Sequence, residues 1–283
     1  MSSTDNETTA TTKRRWNRPI VWIALAVVGV AIVAAVGFAA SRLDNSDDAA
    51  PPPPPPPINT PSVPSGDPGQ DYLGNDVDVL GRGMRIPADP NGHVLDPGPA
   101  TSPKQLTSPV RAPQGLEWQK VYGVPMPFST SDGPTAIRAD GVPSGFSRTP
   151  QGAALASLQI LLRATFGPQK VRQAVVDSSV IGPADLKQQM LAVTNDPQYQ
   201  TMPAAVQITP DRYTENAATI RWAFGPFPAP AEFPTTNGTV YGGGYMPVVW
   251  DDGRWKLRIT EQMLSTDQGL MEYIDNPAWS TWF

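Results

Sequence analysis

The stretch VYGGGYMPVVWDDGRWKLRI, residues 240–259, decides the fold of this chain. Apolar residues alternate with polar or small residues on both sides of the turn sequence at residues 251–254. Such alternation is typical of half-buried strands, and an Asp-Gly pair between two such runs is a strong hairpin signal. The stretch therefore predicts two antiparallel strands joined by a tight turn. Gly242 and Gly244 predict a bend or bulge in the first of them.

Further strands are predicted upstream of this hairpin. Val206 and Ile208 alternate after Pro203, and a longer run places Arg221 on the face opposite its apolar residues. The apolar residues of that run are Ala218, Ile220, Trp222 and Phe224. The segment from Trp118 to Phe128 predicts extended chain with the character of a sheet edge, because Pro125 and Pro127 remove ladder donors. The sequence Ser131-Asp132-Gly133-Pro134 then predicts a turn.

Three helices are predicted before the strands. Thr149 suits the N-cap of the first, Pro150 suits its first turn, and Gly167-Pro168 ends it. A second, short helix follows, and a third begins at Pro183. The inward-facing residues of these two are Val171, Ala174, Val175, Leu186, Met190 and Val193. Helices followed by a meander of strands predict an α+β domain, with the helices on one face of a curved, cone-like antiparallel sheet.

Composition sets the predicted start of this domain near residue 115. Residues 41–114 hold 17 of the chain's 34 prolines, and the unbroken run at residues 51–57 must adopt the polyproline II conformation. We predict a disordered, proline-rich stalk over residues 41–114 and an extracytoplasmic domain over residues 115–283. Within the stalk, one set of residues predicts either a short strand that docks on the domain or an unstructured patch: Val77, Val79, Leu80, Met84 and Ile86.

A predicted transmembrane helix runs from Ile20 to Ala40 without a charged residue. A helix of this length spans the roughly 30 Å hydrocarbon core of a bilayer. Basic residues precede it and acidic residues follow it, which predicts a cytoplasmic tail over residues 1–19. The chain is then a single-pass protein of the cell membrane that binds lipid through residues 20–40. A cleaved signal peptide is the alternative.

The charge and residue content exclude several kinds of site. The net charge is −5, so no direct binding to nucleic acid is expected. The chain has no cysteine, which excludes disulfides, thiolate zinc sites and cysteine nucleophiles. Its single histidine, His93, lies in the predicted stalk, and a Ser-His-Asp arrangement would have to use it.

The candidate catalytic acids are Asp211, Glu215, Asp251, Asp252 and Glu261. Three of them, Asp211, Asp251 and Asp252, fall in predicted turns, where aspartate is favoured for backbone reasons. For Arg163 and Arg221 a surface role is favoured over a ligand role. We therefore predict no catalytic, cofactor-binding or metal-ligating residue, no cofactor, and a protein that is not an enzyme.

The last five residues, WSTWF at 279–283, contain three aromatic side chains. Chain termini are commonly frayed, and such a concentration of aromatic residues is unusual for one. Two interpretations stay open: the tail folds back on the core, or it forms an interaction patch.

Helices followed by a curved meander that ends in WDDGRWKL, residues 250–257, resemble the nuclear-transport-factor-two-like fold, which ketosteroid isomerase shares. The run GFSRTPQGAA at residues 145–154, after Trp118 and Gly133-Pro134, looks like a family of actinobacterial membrane proteins that occur with conjugative plasmids and integrative elements. The resemblance covers about residues 115–260. It implies a bitopic subunit of a conjugation or type IV secretion-like apparatus. The long stalk departs from the compact form of such subunits.

These observations predict a membrane-anchored structural or assembly subunit of a conjugative DNA-transfer or type IV secretion-like apparatus. Its expected partners are the bilayer and other membrane proteins of that apparatus, and self-association into a homo-oligomer is compatible with the role. The alternative is a cell-surface binding module that holds a small apolar ligand or envelope polymer in its cone. A third hypothesis, an isomerase- or hydrolase-like enzyme, requires a buried carboxylate with a strongly raised pKa.

Overall fold

The computed structural model describes residues 71–98, 101–193, 201–230, 233–264, 274 and 277–283. Helices and open, antiparallel-rich sheets make up these residues, so the predicted α+β class is confirmed. The helices are α1 (Pro150–Phe166), α2 (Gln169–Ser179), α3 (Ala184–Ala192) and α4 (Glu261–Leu264). The strands are β1 (Tyr72–Val77), β2 (Gly83–Pro87), β3 (Glu117–Val121), β4 (Val124–Phe128), β5 (Ala136–Ile137), β6 (Pro143–Ser144), β7 (Val180–Ile181), β8 (Pro203–Gln207), β9 (Tyr213–Thr214), β10 (Ala217–Pro228), β11 (Thr239–Asp251), β12 (Arg254–Arg258) and β13 (Trp279–Ser280).

The larger, seven-stranded sheet contains the predicted hairpin. Its order is β13-β8-β10-β11-β12-β7, with β9 beside β10, and its neighbours are antiparallel except for β12 with β7. Trp250 pairs with Trp255 across the hairpin, as the alternation predicts. Asp252 and Gly253 have φ values of 52° and 72°, the positive values of a type I′ turn. Because that turn has the same twist as the strands, it fixes their register.

The predicted bulge occurs in β10, the strand next to β11, which contains the glycines. The pairing of β10 with β11 runs without a shift until Phe224 meets Gly242, and the register changes in β10 between Phe224 and Phe227. The middle glycine of the run serves close packing: a Cβ atom at Gly243 would overlap the carbonyl oxygen of Trp222. The prediction placed the irregularity in the wrong strand, because glycine is typical of bulges and of close backbone approach alike.

Helix α1 begins and ends as predicted. Thr149 is its N-cap, and the Thr149 hydroxyl accepts a hydrogen bond of 3.0 Å from the amide of Gly152. Every residue from Pro150 to Thr165 is buried, because α1 packs against β10, β11 and β12 on one side and β4 on the other. Helices on one face of a single sheet were expected. The structure instead places α1 between two sheets, in accord with its small or apolar residues on every side.

The second, four-stranded sheet has the order β1-β2-β3-β4. Strands β1 and β2 are antiparallel, β2 and β3 are parallel, and β3 and β4 form an antiparallel hairpin. Pro125 and Pro127 lie in β4, the last strand of the sheet, where the missing amide donors do not interrupt a ladder. The predicted edge character of this segment is confirmed.

The folded part of the chain reaches back to residue 71, well inside the predicted stalk. Asp78, between β1 and β2, is buried and forms an ion pair of 2.8 Å with Arg82. Its carboxylate also accepts hydrogen bonds from the Thr201 hydroxyl at 2.6 Å and the Met202 amide at 2.9 Å. The hairpin of β1 and β2 is thus fastened to the start of β8. Of the two interpretations left open, docking is confirmed, and a charged residue provides it.

The predicted cytoplasmic tail, membrane helix and polyproline run lie outside the described residues. In the part that the structure describes, no helix is long and apolar enough to cross a membrane. For residues 41–70 the stalk stays a prediction.

The C-terminal tail folds back on the core, which confirms one of its two interpretations. Strand β13 pairs with β8, and the Trp282 ring lies edge-on to Trp222 with centroids 5.5 Å apart. The Trp118 indole donates a hydrogen bond of 2.8 Å to the Trp282 carbonyl, and the Trp282 indole donates one of 3.1 Å to the Val110 carbonyl. The tail therefore joins the two sheets.

Candidate interaction surface

The seven-stranded sheet has an inner face covered by α1 and an outer face turned away from it. On β10, Trp222 is fully buried, and its indole donates a hydrogen bond of 3.2 Å to Ser157 of α1. Arg221, the preceding residue, points to the opposite side because successive side chains alternate across a strand. On β11, Met246 is buried, and its neighbour Tyr245 points outward with 41% of its surface exposed.

Strand pairing aligns four outer-face residues in one row, which we call the Arg221 row: Trp279, Gln207, Arg221 and Tyr245. The guanidinium carbon of Arg221 lies 5.1 Å from the centroid of the Tyr245 ring and 5.3 Å from that of Trp279. The guanidinium carbon of Arg212 lies 5.9 Å from the Tyr245 ring. Two cations and two aromatic rings thus meet on the outer face, at distances typical of cation–π interactions.

Within the described residues, Arg221 does not use all of its hydrogen-bonding capacity. Its Nε atom is buried and has no hydrogen-bond partner among the described residues. Arg212 forms an ion pair of 3.4 Å with Asp211, whereas Arg221 forms none within the part of the chain described. A guanidinium presents a planar fork of donors that matches a carboxylate. The Trp279 ring and the Arg221 Nε atom are buried, so an acidic side chain of a partner would meet the terminal nitrogens of the half-buried Arg221 beside the exposed Tyr245 ring.

A protein-family match includes three of the four residues of the Arg221 row. Residues 85–274, more than half of the chain, match the family described as a domain of unknown function, DUF8175. The chain belongs to the DUF8175 family. No curated protein and no solved structure shows significant similarity to it. The DUF8175 match includes Gln207, Arg221 and Tyr245, whereas β1 and β13 lie outside it.

The five candidate carboxylates of this DUF8175 protein all lie exposed on its surface: Asp211, Glu215, Asp251, Asp252 and Glu261. Asp251 accepts a hydrogen bond of 2.6 Å from Lys256, and Asp211 accepts one of 2.5 Å from the Thr209 hydroxyl. These hydrogen bonds favour the ionised carboxylates and lower the pKa of both. The structure does not bring these carboxylates together on the inner face of the sheet.

Arg163 is fully buried, which corrects the surface role that the sequence suggested for it. Its guanidinium donates hydrogen bonds to the carbonyls of Asn91 at 2.8 Å and Gly141 at 3.2 Å and to the Gln159 amide oxygen at 3.1 Å. Burial lowers the pKa of Arg163 to about 10. Because its bonds run to backbone in separate segments, Arg163 ties α1 of the DUF8175 domain to the chain before β3 and to the loop before β6.

His93 lies in the four-stranded part of the DUF8175 domain. Its Nδ1 atom is 3.9 Å from a carboxylate oxygen of Asp71, and its ring contacts Tyr72 edge-on at 5.0 Å. The Tyr72 hydroxyl donates a hydrogen bond of 2.7 Å to Glu117, and burial, followed by that bond, raises the Tyr72 pKa. Arg85 stacks on the Tyr72 ring and pairs with Glu117 at 3.2 Å. This cluster joins β1, β2 and β3.

Sequence reasoning missed a buried carboxylate, Asp132. It lies in the turn predicted around Gly133-Pro134 and accepts hydrogen bonds of 2.6 Å from each of three hydroxyls: Ser102, Ser131 and the N-cap Thr149. An aspartate in a turn gives no signal of burial, so its role as an anchor for the N-terminus of α1 depended on the fold.

Proposed function

We propose that this DUF8175 protein is a membrane-anchored assembly subunit of a conjugative DNA-transfer or type IV secretion-like apparatus, and that the Arg221 row binds another subunit. The Arg221 row is the single observation that carries the protein–protein part of the proposal. Tyrosine, tryptophan and arginine are enriched at protein interfaces and at their energetic hot spots. A half-buried arginine that forms no ion pair within the described residues, beside an exposed tyrosine, has the chemistry of such a hot spot.

The membrane part of the proposal rests on the sequence of residues 20–40. A cytoplasmic amino terminus leaves the DUF8175 domain outside the cell membrane. The stalk then comprises residues 41–70, which span at most roughly 100 Å when fully extended. Residue 71, where the described domain begins, accordingly lies within that distance of the bilayer.

The element order supports the finer proposal of a nuclear-transport-factor-two-like cone. Helices α1, α2 and α3 precede β8, β10, β11 and β12, which is the order that the resemblance implies. The four-stranded sheet on the far side of α1 is a departure from it. This second sheet is an addition through which the proposed subunit differs from a bare cone.

The alternative, a binding module for an apolar ligand, has less support. The inner face of the seven-stranded sheet is filled by α1 and by fully buried side chains, among them Trp222, Met246 and Leu257. The enzyme hypothesis asks for a buried carboxylate with a raised pKa. Burial of Asp78 acts in that direction, but the Thr201 hydroxyl and Arg82 outweigh it, and the Asp78 pKa is lowered.

Transfer and co-purification test the proposal in a host that carries the gene in a conjugative element. Deletion of the gene is expected to abolish DNA transfer, and membrane complexes purified through the full-length protein are expected to contain channel subunits. Arg221→Ala should weaken that association by about 30-fold, the effect of a 2 kcal/mol hot spot. The matched control is Arg258→Ala, which removes an exposed arginine of β12 outside the Arg221 row.

The outcomes separate the two parts of the proposal. If deletion of the gene leaves DNA transfer unchanged, the protein is not required for the transfer apparatus, and that part of the proposal fails. Normal transfer and normal complexes with Arg221→Ala would show that the partner binds elsewhere on the domain. Loss of transfer with Arg221→Ala, but not with Arg258→Ala, supports both parts.

A further inference from the structure

The exposed apolar side chains of the described residues concentrate at one edge of the four-stranded sheet. Five large apolar residues are exposed, and three of them belong to β1 or the turn after it: Leu73 at 73%, Val77 at 56% and Val79 at 52%. Within the described residues β1 is an edge strand, with β2 on one side. Scattered exposed apolar residues are normal, but an apolar edge strand is a template for strand pairing.

The hydrogen bonds of β1 show which backbone groups face outward. The Asp78 amide donates to the Arg82 carbonyl at 2.9 Å, so Asp76 and Gly74, two and four residues earlier, also direct their backbone groups toward β2. The backbone groups of Asn75 and Val77 therefore face away from it. The Val77 amide donates to the Asp76 side chain at 2.8 Å, which leaves the Asn75 amide and both carbonyls for another strand.

The sequence of β1 is complementary to itself in one antiparallel register. With Asn75 opposite Asn75 of a second copy, the two Asn75 side chains meet at the two-fold axis, with the exposed Val77 of each copy on the same face. A bulge between Tyr72 and Gly74 places Leu73 on the opposite face, where it adds exposed apolar surface to the edge. Asp76, already paired with Lys120 at 2.6 Å, would lie opposite Gly74, without a like-charge contact. Cross-strand pairs of this kind stabilise sheets.

We propose that β1 pairs antiparallel with β1 of a second copy, joining two four-stranded sheets into one of eight strands. This is an isologous interface, in which the same strand serves both subunits around a two-fold axis.

The position of β1 in the chain favours a second copy as the occupant. The predicted anchor and stalk lead directly into residue 71, so copies in one membrane hold β1 within the same distance of the bilayer. Confinement to a membrane raises the effective concentration of the strands for each other. The interface needs no other subunit of an apparatus, so it can be tested without one and can fail independently of the proposed function.

Cysteine cross-linking tests the register directly in the full-length protein in detergent. The chain has no cysteine, so Asn75→Cys introduces a single thiol. Directly opposed residues of a hydrogen-bonded antiparallel pair have Cα atoms about 5.5 Å apart, within the range of a disulfide. Mild oxidation should give a covalent dimer. Asp185→Cys, at an exposed position of α3, is the control and should stay monomeric under the same oxidation.

The second measurement is the dimer dissociation constant from sedimentation of the same full-length protein. Leu73→Lys with Val77→Lys should raise it at least about tenfold, because lysines on an edge strand oppose pairing. Ala136→Lys, an exposed residue of β5, should leave it unchanged. A monomeric wild-type protein would overturn the proposal. So would a dimer that neither forms the Asn75→Cys disulfide nor responds to the two lysines, because its contact would then lie elsewhere, such as in the membrane helix.

Discussion

The seven-stranded sheet and the hairpin of β1 and β2 are held in the domain by different kinds of contact. The seven-stranded sheet presents a continuous apolar inner face to α1, with Trp222 and Leu257 fully buried. The hairpin of β1 and β2 pairs with β3, and two ion pairs add to this attachment: the buried pair of Asp78 and Arg82 and the half-exposed pair of Asp76 and Lys120. The first kind of contact leaves a periodic pattern in the sequence, and the second does not.

This difference explains why the strands of the seven-stranded sheet could be predicted from the sequence and the attachment of the β1–β2 hairpin could not. Apolar alternation is a local pattern that any strand facing a core must show. The partners that fasten Asp78 to β8 lie far along the chain, since Thr201 is 123 and Met202 is 124 residues away. A segment rich in proline and acidic residues therefore belongs to the folded domain through contacts that composition does not reveal.

The largest expected effect comes from disrupting the apolar contacts between α1 and the seven-stranded sheet. Trp222→Ala removes a fully buried indole under α1 and should lower the free energy of unfolding by about 3–5 kcal/mol. Denaturant unfolding followed by circular dichroism measures the loss. Trp250→Ala, which removes a half-buried tryptophan of the same sheet, is the control and should cost less. Equal losses for the two variants would show that burial under α1 is not what stabilises this sheet.

A smaller and more local loss of stability is expected when the ion pairs of the β1–β2 hairpin are removed. Asp78→Ala leaves Arg82 and the Thr201 hydroxyl without their buried acceptor, which should cost about 3 kcal/mol. Hydrogen exchange should accelerate in β1 and β2, while the amides of β10 and β11 stay protected. Asp76→Ala, which breaks the half-exposed pair with Lys120, should cost less than about 1 kcal/mol. Uniform acceleration across both sheets would contradict separate attachment.

The smallest expected effect is a pH dependence of the stability that Asp78 contributes. Burial raises the Asp78 pKa, but the Thr201 hydrogen bond and Arg82 outweigh it and hold that pKa below its ordinary value. The stability that Asp78 contributes is thus complete above the unfolded pKa of about 3.9 and is lost as the pH falls through the lower folded value. The difference in free energy of unfolding between wild type and Asp78→Asn should therefore shrink below about pH 4. A difference that stays constant down to pH 2 would contradict this assignment.

Much of the fold followed from local sequence signals. The N-cap at Thr149, the end of α1 at Gly167, the type I′ turn at Asp252-Gly253 and the alternation of β10 are each set by neighbouring residues. The bulge was predicted in the wrong strand because a run of glycines is typical of bulges and of close packing alike, and Gly243 packs against the backbone of Trp222. The placement of α1 between two sheets was missed because the second sheet begins inside the predicted stalk.

Less of the candidate surface could be predicted. Alternation placed Arg221 on the face opposite Trp222, and the composition of the tail marked residues 279–283 as unusual. Their meeting could not be inferred, because Trp279 reaches Arg221 across β8, through pairings that join distant parts of the chain. Arg163 and Asp132 were missed for a related reason: a single charged residue carries no local sign that it is buried.

The local structure of this protein can be predicted from its sequence, because helix caps, turns and the alternation of strands depend on residues a few positions apart. The same holds for the predicted membrane segment, whose length and lack of charge are continuous properties of one stretch. The tertiary fold set the true start of the domain, the burial of Asp78, Asp132 and Arg163, and the assembly of the Arg221 row. Each of these depends on contacts between residues far apart along the chain, and the free energy of such contacts exists only when the fold brings them together.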